Sequence, residues 1–221
     1  MPALNSIVLR HVIPDIFKDG NSNQPTAESE VWMEEVVFKR GEFYMIQAES
    51  GTGKSSLCSF IYGNRGDYSG EILFDGTDIR TFDVDEWCRR RTNSLALLPQ
   101  EMRIFPELTA LENIQIKNRL TNFKTDKEIL EMLERLELSD KTDTKASKMS
   151  VGQQQRVAII RTLCQPMDFL LLDEPVSHLD TRNNASVAEL IREEASRQGA
   201  GIIATSVGYD ISLDFNRHLL L

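Results

Sequence analysis

Eight residues, Ala48-Glu49-Ser50-Gly51-Thr52-Gly53-Lys54-Ser55, join an apolar stretch, Phe43 to Gln47, to a helix-like one, Ser56 to Ile61. Glycines in such a loop let successive backbone N–H groups converge on one anion, and the helix that follows adds the positive end of its dipole. Lys54 is placed to reach the outer phosphate oxygens of a nucleotide, and the Ser55 hydroxyl to ligate the Mg²⁺ that travels with them. Ser50, Gly51, Thr52, Gly53 and Ser56 complete the expected cradle. A second chemical pair, Asp173-Glu174, stands where the apolar run Phe169 to Leu172 should end as a buried strand. Adjacent carboxylates there can divide the work. Asp173 is suited to hold Mg²⁺ through its water shell, and Glu174 to polarise a water against the γ-phosphate. Taken singly, each segment has a plainer reading: a glycine-rich turn before an ordinary helix, and a solvated strand end.

A third segment, Ser150-Val151-Gly152-Gln153-Gln154-Gln155-Arg156, opens a helix whose Val157, Ala158, Ile160, Leu163 and Cys164 should face a core. Ser150 suits an N-cap, and Gly152 leaves room for phosphate oxygens to approach exposed amides. In this order the segments resemble the ATPases of the ABC (ATP-binding cassette) family, and the resemblance covers nearly the whole chain. It implies ATP and Mg²⁺ as the bound species and ATP hydrolysis as the activity. It makes Leu97-Leu98-Pro99-Gln100 the glutamine loop, with Gln100 contacting Mg²⁺ or the water. Ser177-His178-Leu179-Asp180 becomes the D-loop, with Asp180 as its characteristic residue, and the run Phe105 to Ile114 lies near membrane subunits. Phe17 is taken as the aromatic that stacks on adenine, with Trp32 read as a core strand residue.

The same resemblance implies a head-to-tail dimer, of identical chains or of this chain with a paralogous cassette. Ser150, Gly152 and Gln153 of one chain would then cover an ATP held by Lys54, Ser55, Gln100, Asp173 and Glu174 of the other, with transmembrane subunits as further partners. Three positions depart from the family pattern: Ala48 and Val151 replace glycines, and Ser206 occupies the place of the histidine that bonds the γ-phosphate. A serine still donates one hydrogen bond but shares no positive charge, so slow basal hydrolysis is expected. His178 is open to two readings, an interface group or a solvent-facing side chain. Two other functions stay in view: an ABC ATPase that drives no transport, and a regulatory nucleotide-binding module that scarcely hydrolyses.

These residues need a scaffold, and the hydrophobic rhythm supplies one. Short β-type runs at Ile7 to Leu9, Val31 to Met33, Val36 to Phe38 and Glu71 to Phe74 predict a small antiparallel lobe, about residues 1–40 and 68–82. Compact apolar runs at Phe43 to Gln47, Leu95 to Leu98, Phe169 to Leu172 and Gly201 to Ala204 predict strands of a parallel sheet buried on both faces. They belong to a P-loop core of about residues 41–67, 93–100 and 165–221. Thr125 and Glu128 form a capping box for a helix carrying Ile129, Leu130, Leu133 and Leu136 on one face, within a helical subdomain of about residues 101–164. The fold class is thus α/β: a P-loop nucleotide hydrolase (NTPase) with a mixed or parallel core sheet, a small antiparallel β subdomain and a helical signature subdomain.

Composition narrows the partners. The 221 residues carry a formal net charge of -9, which opposes binding to phosphate backbones, so no nucleic-acid partner is expected. The 3 cysteines, Cys58, Cys88 and Cys164, are scattered and suit a reducing compartment. With no apolar stretch near the ~20 residues of a membrane span, and no leader pattern at the N-terminus, the expected location is cytoplasmic and peripheral to the membrane face.

Overall fold

Strand β1, Ser6–Pro14, alternates buried and open positions and puts Ile7, Leu9 and Val12 into a core. It is the centre of a computed structural model that describes residues 2–17, 29–49 and 51–221. Ser50, one of the expected phosphate-loop residues, lies outside these. β1 pairs antiparallel with β2, Glu35–Lys39, on one side and with β4, Tyr68–Phe74, on the other. β5, Thr77–Asp78, adds to β4, so the order is β2-β1-β4-β5. The β1–β4 register slips between Arg10 and Ile13. Gly70 makes the slip possible, because a Cβ there would stand 2.3 Å from the His11 carbonyl oxygen.

The expected strand at Val31 to Met33 is instead a turn. The Ser29 hydroxyl accepts the N–H groups of Val31 and Trp32 at 3.2 and 2.9 Å, and Met33 takes a left-handed φ of 66°. Side-chain bonding of this kind withdraws backbone donors from a ladder. Val31 and Trp32 are nevertheless buried, so the core reading of Trp32 holds while its strand reading does not.

A second sheet is parallel throughout, in the order β6-β7-β8-β3-β9. Its members are β3, Phe43–Gln47; β6, Leu95–Leu98; β7, Phe169–Asp173; β8, Gly201–Ser206; and β9, Arg217–Leu220. Every residue of β7 and β8 is buried, which explains why these strands read as unbroken apolar runs. Helix α1, Lys54–Ile61, packs on β7 and β8. Helix α2, Val84–Asn93, is capped by Asp83 and buries no residue fully; its half-buried Trp87 meets Phe74 and Phe82 edge-on.

Three helices form the segment between β6 and β7: α3, Ala110–Asn118; α4, Asp126–Arg135; and α5, Val151–Leu163. Each begins with a complete capping box, Thr109 with Glu112, Thr125 with Glu128 and Ser150 with Gln153. Reciprocal capping of this kind satisfies two otherwise free N–H groups per helix. In α5 the residues Val157, Ala158, Ile160, Leu163 and Cys164 are all buried. In α4, Leu130 departs from expectation: it is exposed, since it lies about 100° round the helix from Ile129, which takes the core side.

The long helix α6, Thr181–Gln198, lies between β7 and β8 in sequence and is clasped to the α4 region by charge. Lys124, with 1% of its side chain exposed, donates to Glu194 Oε2 at 2.7 Å, and Arg197 reaches the same oxygen at 2.6 Å. Arg135 binds Glu193 at 2.6 Å, and Arg182 pairs with Glu137. The exposed pairs add little, but removing one partner of the buried one leaves a desolvated charge. Lys124→Met should lower stability by about 3 kcal/mol, read as a shift in the urea unfolding midpoint; Lys127→Met, on an exposed pair, should leave that midpoint in place.

Candidate nucleotide-binding and hydrolysis site

Parallel pairing brings several C-terminal strand ends to one edge: Gln47 faces Ser206, Asp173 faces Thr205 and Leu98 faces Leu172. Loops leaving that edge are where open α/β sheets place ligands. The phosphate-loop segment follows β3, Gln100 follows β6, Glu174 follows β7 and the turn containing Gly208 follows β8. The expected chemistry is thus gathered by the sheet rather than by sequence proximity.

Within the loop, Gly51 and Gly53 take φ values of 87° and 102°, and Gly53 caps α1. Ala48 is not left-handed, so its methyl group imposes no backbone strain, and its N–H donates to Ser206 O at 3.2 Å. Glycine is dispensable at this position for that reason. Thr52 Oγ1 donates to Glu49 O at 2.8 Å. Ser55 is exposed, while the half-buried Ser56 accepts from Arg65 at 2.8 Å.

Lys54 is buried, and its Nζ donates to Glu49 O at 2.8 Å and Ala48 O at 3.3 Å, with Glu174 Oε1 at 3.9 Å. Burial lowers its pKa, against the pull of the Glu174 and Asp173 carboxylates, which favour the charged form. Glu174 Oε2 in turn accepts from Gln100 Nε2 at 3.1 Å. Three of the expected residues therefore meet in one cluster. Glu174 sits at a left-handed φ of 50°, unusual for a side chain with a Cβ, and its N–H is fixed to Thr205 O at 3.2 Å. Asp173 is buried beside it, with Oδ1 accepting from Thr205 Oγ1 at 2.9 Å. Thr205, which holds both acidic residues, carries no motif signal; only the β7–β8 register reveals it.

Ser206 is buried, and its Oγ accepts from Gly208 N at 3.1 Å, so the hydroxyl oxygen serves its own turn. Phe17 lies against the loop with Trp32: a Cβ on Gly53 would come within 3.4 Å of Phe17 and 3.0 Å of Trp32. Trp32 Nε1 also donates to Thr52 O at 3.0 Å. At 8% exposure Phe17 leaves little open face on which a base could stack. Its place in the structure is that of a wedge beneath the phosphate loop.

Ser150, Gly152 and Gln153 are on the helical side of the molecule. Ser150 Oγ accepts from Gln153 N at 3.3 Å and Gln153 Oε1 from Ser150 N at 2.9 Å. Asp180 caps α6, accepting from Asn183 N at 2.8 Å, and the Asn183 backbone and side chain hold its carboxyl below the usual range. Among the described residues no hydrogen bond or ion pair joins these four to the phosphate loop. The sheet brings together Lys54, Gln100 and Glu174, but not the signature or the D-loop carboxylate.

The donor set suits Mg²⁺. Ser55 and Asp173 offer oxygen only, and among the described residues no group of three or more His, Cys, Asp or Glu side chains could cage an ion. Mg²⁺ keeps several waters and binds through one or two protein oxygens together with substrate phosphates, so a sparse oxygen set at a phosphate loop is the fitting one.

Comparison with known proteins agrees with this geometry. The sequence profile of the ABC transporter family matches residues 35–177. The chain is 31% identical to the ABC transporter ATP-binding protein YtrE of Bacillus subtilis over 187 residues, 83% of this chain and 80% of that one. It is 36% identical to the lipoprotein-releasing system ATP-binding protein LolD 1 of Chlorobium chlorochromatii over 156 residues, 69% of this chain and 63% of that one. Two solved dimeric structures of the cassette MJ0796 of Methanocaldococcus jannaschii, one of them a post-hydrolysis state bound to ADP and Pi, superpose with TM-scores of 0.74 and 0.75. Both are 26% identical, covering 90% and 93% of this chain and 87% and 88% of those chains. The chain belongs to the ABC transporter family and is an ATPase of the ABC type with the P-loop α/β fold.

Gly53→Ala tests the local packing. The methyl group would need a left-handed backbone and would press on the Trp32 ring, so a loss of about 1–2 kcal/mol in stability is expected. Weakened nucleotide binding should accompany it in a fluorescence titration, whereas Gly66→Ala, in open space, should change neither.

Proposed function

We propose that the chain is the ATP-hydrolysing motor of a transport complex, acting as a dimer beside separate transmembrane subunits. The observation that carries this reading is the position of Glu174. It is held between Lys54 and Gln100 at the end of a buried strand, next to a phosphate loop.

The geometry supports the following roles. Backbone N–H groups of Gly51, Thr52 and Gly53 and the α1 N-terminus bind the ATP phosphates, and Lys54 exchanges its loop carbonyl partners for phosphate oxygens. Glu174 accepts a proton from the attacking water, whose orientation Gln100 shares. Ser55 and Asp173, with Gln100 beside them, would hold Mg²⁺, which when bound neutralises charge on the phosphate oxygens. Ser206 offers one neutral hydrogen bond in the histidine's place, which supports slow turnover.

Among the described residues Ser150, Gly152, Gln153 and Asp180 make no hydrogen bond or ion pair with the phosphate loop of their own chain, and the solved MJ0796 cassette is dimeric. Both facts support a head-to-tail pair in which these residues complete the partner's site. Closure on ATP and reopening after hydrolysis would then move the transmembrane subunits. On this reading the turn after Gln100 is the lever: Met102 and Arg103 have φ values of 55° and 50°, and Arg161 holds both carbonyls. A cavity of about 260 Å³ lies beside it, lined by Arg103, Arg161, Pro99 and Asp173 among others. Its lining runs from Asp173 to Arg103, two residues before the Phe105 to Ile114 run that the resemblance sets near membrane subunits. Among the described residues no helix is long and apolar enough to cross a membrane, so any such partner is a separate chain or segment.

Glu174→Gln should reduce the rate of phosphate release at least a hundredfold while trapping an ATP-bound dimer in gel filtration; an unchanged rate would remove Glu174 from the mechanism. Ser206→Ala should lower kcat by about tenfold or less, the worth of one neutral hydrogen bond. A larger loss would assign Ser206 a greater part than its geometry supports.

A further inference from the structure

Gln155 is a polar side chain at a buried position, 2% exposed, in the second turn of α5. Such a group is kept by its hydrogen bonds. Its Oε1 accepts the backbone N–H of His178 at 3.1 Å. His178 belongs to the loop that runs from Glu174 to the α6 cap at Asp180. That loop is closed on itself: Ser177 N and Oγ both donate to Glu174 O, at 3.4 and 3.3 Å, and Leu179 N donates to Val176 O at 3.1 Å. A pull on His178 therefore reaches the backbone of Glu174 through two short links.

The neighbours of Gln155 on α5 grip the same loop. Gly152, one turn earlier, packs so closely that a Cβ there would stand 3.0 Å from His178 O. Arg156 donates to Asn183 Oδ1 at 2.6 Å, and Asn183 Nδ2 donates to both oxygens of Asp180 at 3.0 Å. The start of α5, which carries Ser150, Gly152 and Gln153, is thereby bound at His178 and Asp180 to the second half of the segment that begins at the hydrolytic carboxylate. Gly152 has a packing reason to be glycine that is independent of any phosphate.

We propose that Gln155 is a positioning residue that makes the α5 N-terminus and the loop carrying Glu174 move as one body. This rests on the reading of the chain as a dimeric ATPase. In a head-to-tail pair the α5 N-terminus faces the ATP held by the partner, while Glu174 serves the ATP held by its own chain. Contact made at one site is passed inside the protomer to the carboxylate of the other. Gln155 thus makes turnover at the two sites interdependent without touching either nucleotide.

The test compares steady-state ATP hydrolysis of wild type, Gln155→Met, Gln155→Asn and Gln155→Glu in the dimer-forming concentration range, together with ATP affinity measured by fluorescence. Met keeps the volume and removes the acceptor, Asn draws it back by one methylene, and Glu retains an acceptor oxygen in either protonation state. Expected are an approximately tenfold fall in kcat for Met and Asn, a Hill coefficient for ATP that drops towards 1, and an affinity within twofold of wild type. Glu should recover most of the rate and of the Hill coefficient. Equal losses in all three variants, a fall in affinity with kcat kept, or wild-type kinetics in Met and Asn would each overturn the proposal. If Met fails to fold, Asn and Glu decide it alone. A wild type with no turnover would instead sink the ATPase reading, and this inference with it.

Discussion

Parallel pairing of β6, β7, β8 and β3 is the constraint on which the other features depend. Parallel strands cannot be joined by tight turns, so each connection must leave the sheet and return over a face. All the C-terminal ends then lie on one edge, and four stretches of chain far apart in sequence are delivered to a single place. Lys54, Gln100 and Glu174 meet because successive ladders align the strand ends, Leu98 with Leu172, Asp173 with Thr205 and Ser206 with Gln47, not because their own side chains seek each other. The same crossovers determine burial: strands covered on both faces must be apolar throughout, and Asp173 survives at the end of β7 only with the Thr205 hydroxyl against it.

The cluster of Lys54, Glu174 and Gln100 is a set of mutually satisfied groups that must rearrange for substrate. Lys54 bonds loop carbonyls, and Glu174 accepts from the glutamine amide. Lys54 is buried and Glu174 half-buried, so leaving either unpaired would be expensive and pairing within the protein is the stable arrangement without phosphates, while Gln100 joins them from the exposed side. Incoming phosphate oxygens offer Lys54 better acceptors than carbonyls, since charge-assisted bonds are the stronger ones. Lys54 Nζ also stands 3.9 Å from Glu174 Oε1, so on the proposed reading a change in the partners of Lys54 alters the charge facing that carboxylate.

Much of this was legible in the sequence, for identifiable reasons. Buried parallel strands announce themselves as short unbroken apolar runs, capping boxes as Thr-x-x-Glu and Ser-x-x-Gln, and the phosphate loop as glycines between a strand and a helix. These are local signals, and the elements at residues 43–47, 95–98, 125–135 and 169–173 match them. What escaped is non-local. Val31 to Met33 has strand composition, but the Ser29 hydroxyl and the pull of Trp32 towards the phosphate loop fold it into a turn. The part expected of Phe17, stacking on adenine, is likewise non-local, and its ring lies beside Gly53. Thr205 belongs to no local pattern, and Gln155, though inside the Ser150 to Arg156 segment, gets no role from it; the meaning of both lies in what they face across the fold.

The departures from the family pattern sort themselves by the same logic. Ala48 is tolerated because the backbone there is not left-handed, while Gly51 and Gly53 are, and they remain glycine. Val151, 48% exposed at the first turn of α5, occupies a position open to solvent in the single chain, where a side chain meets no steric objection. Gly152, one residue on, does face such an objection from His178 O. Ser206 differs in kind, since it changes a donor's reach and charge rather than backbone freedom. Its hydroxyl oxygen is already engaged by Gly208, so whatever it gives a γ-phosphate comes from one remaining proton. The first two substitutions leave the loop backbone and the start of the helix intact; the third changes which donor stands at the end of β8, and on the proposed reading it bears on turnover rather than on the binding of ATP.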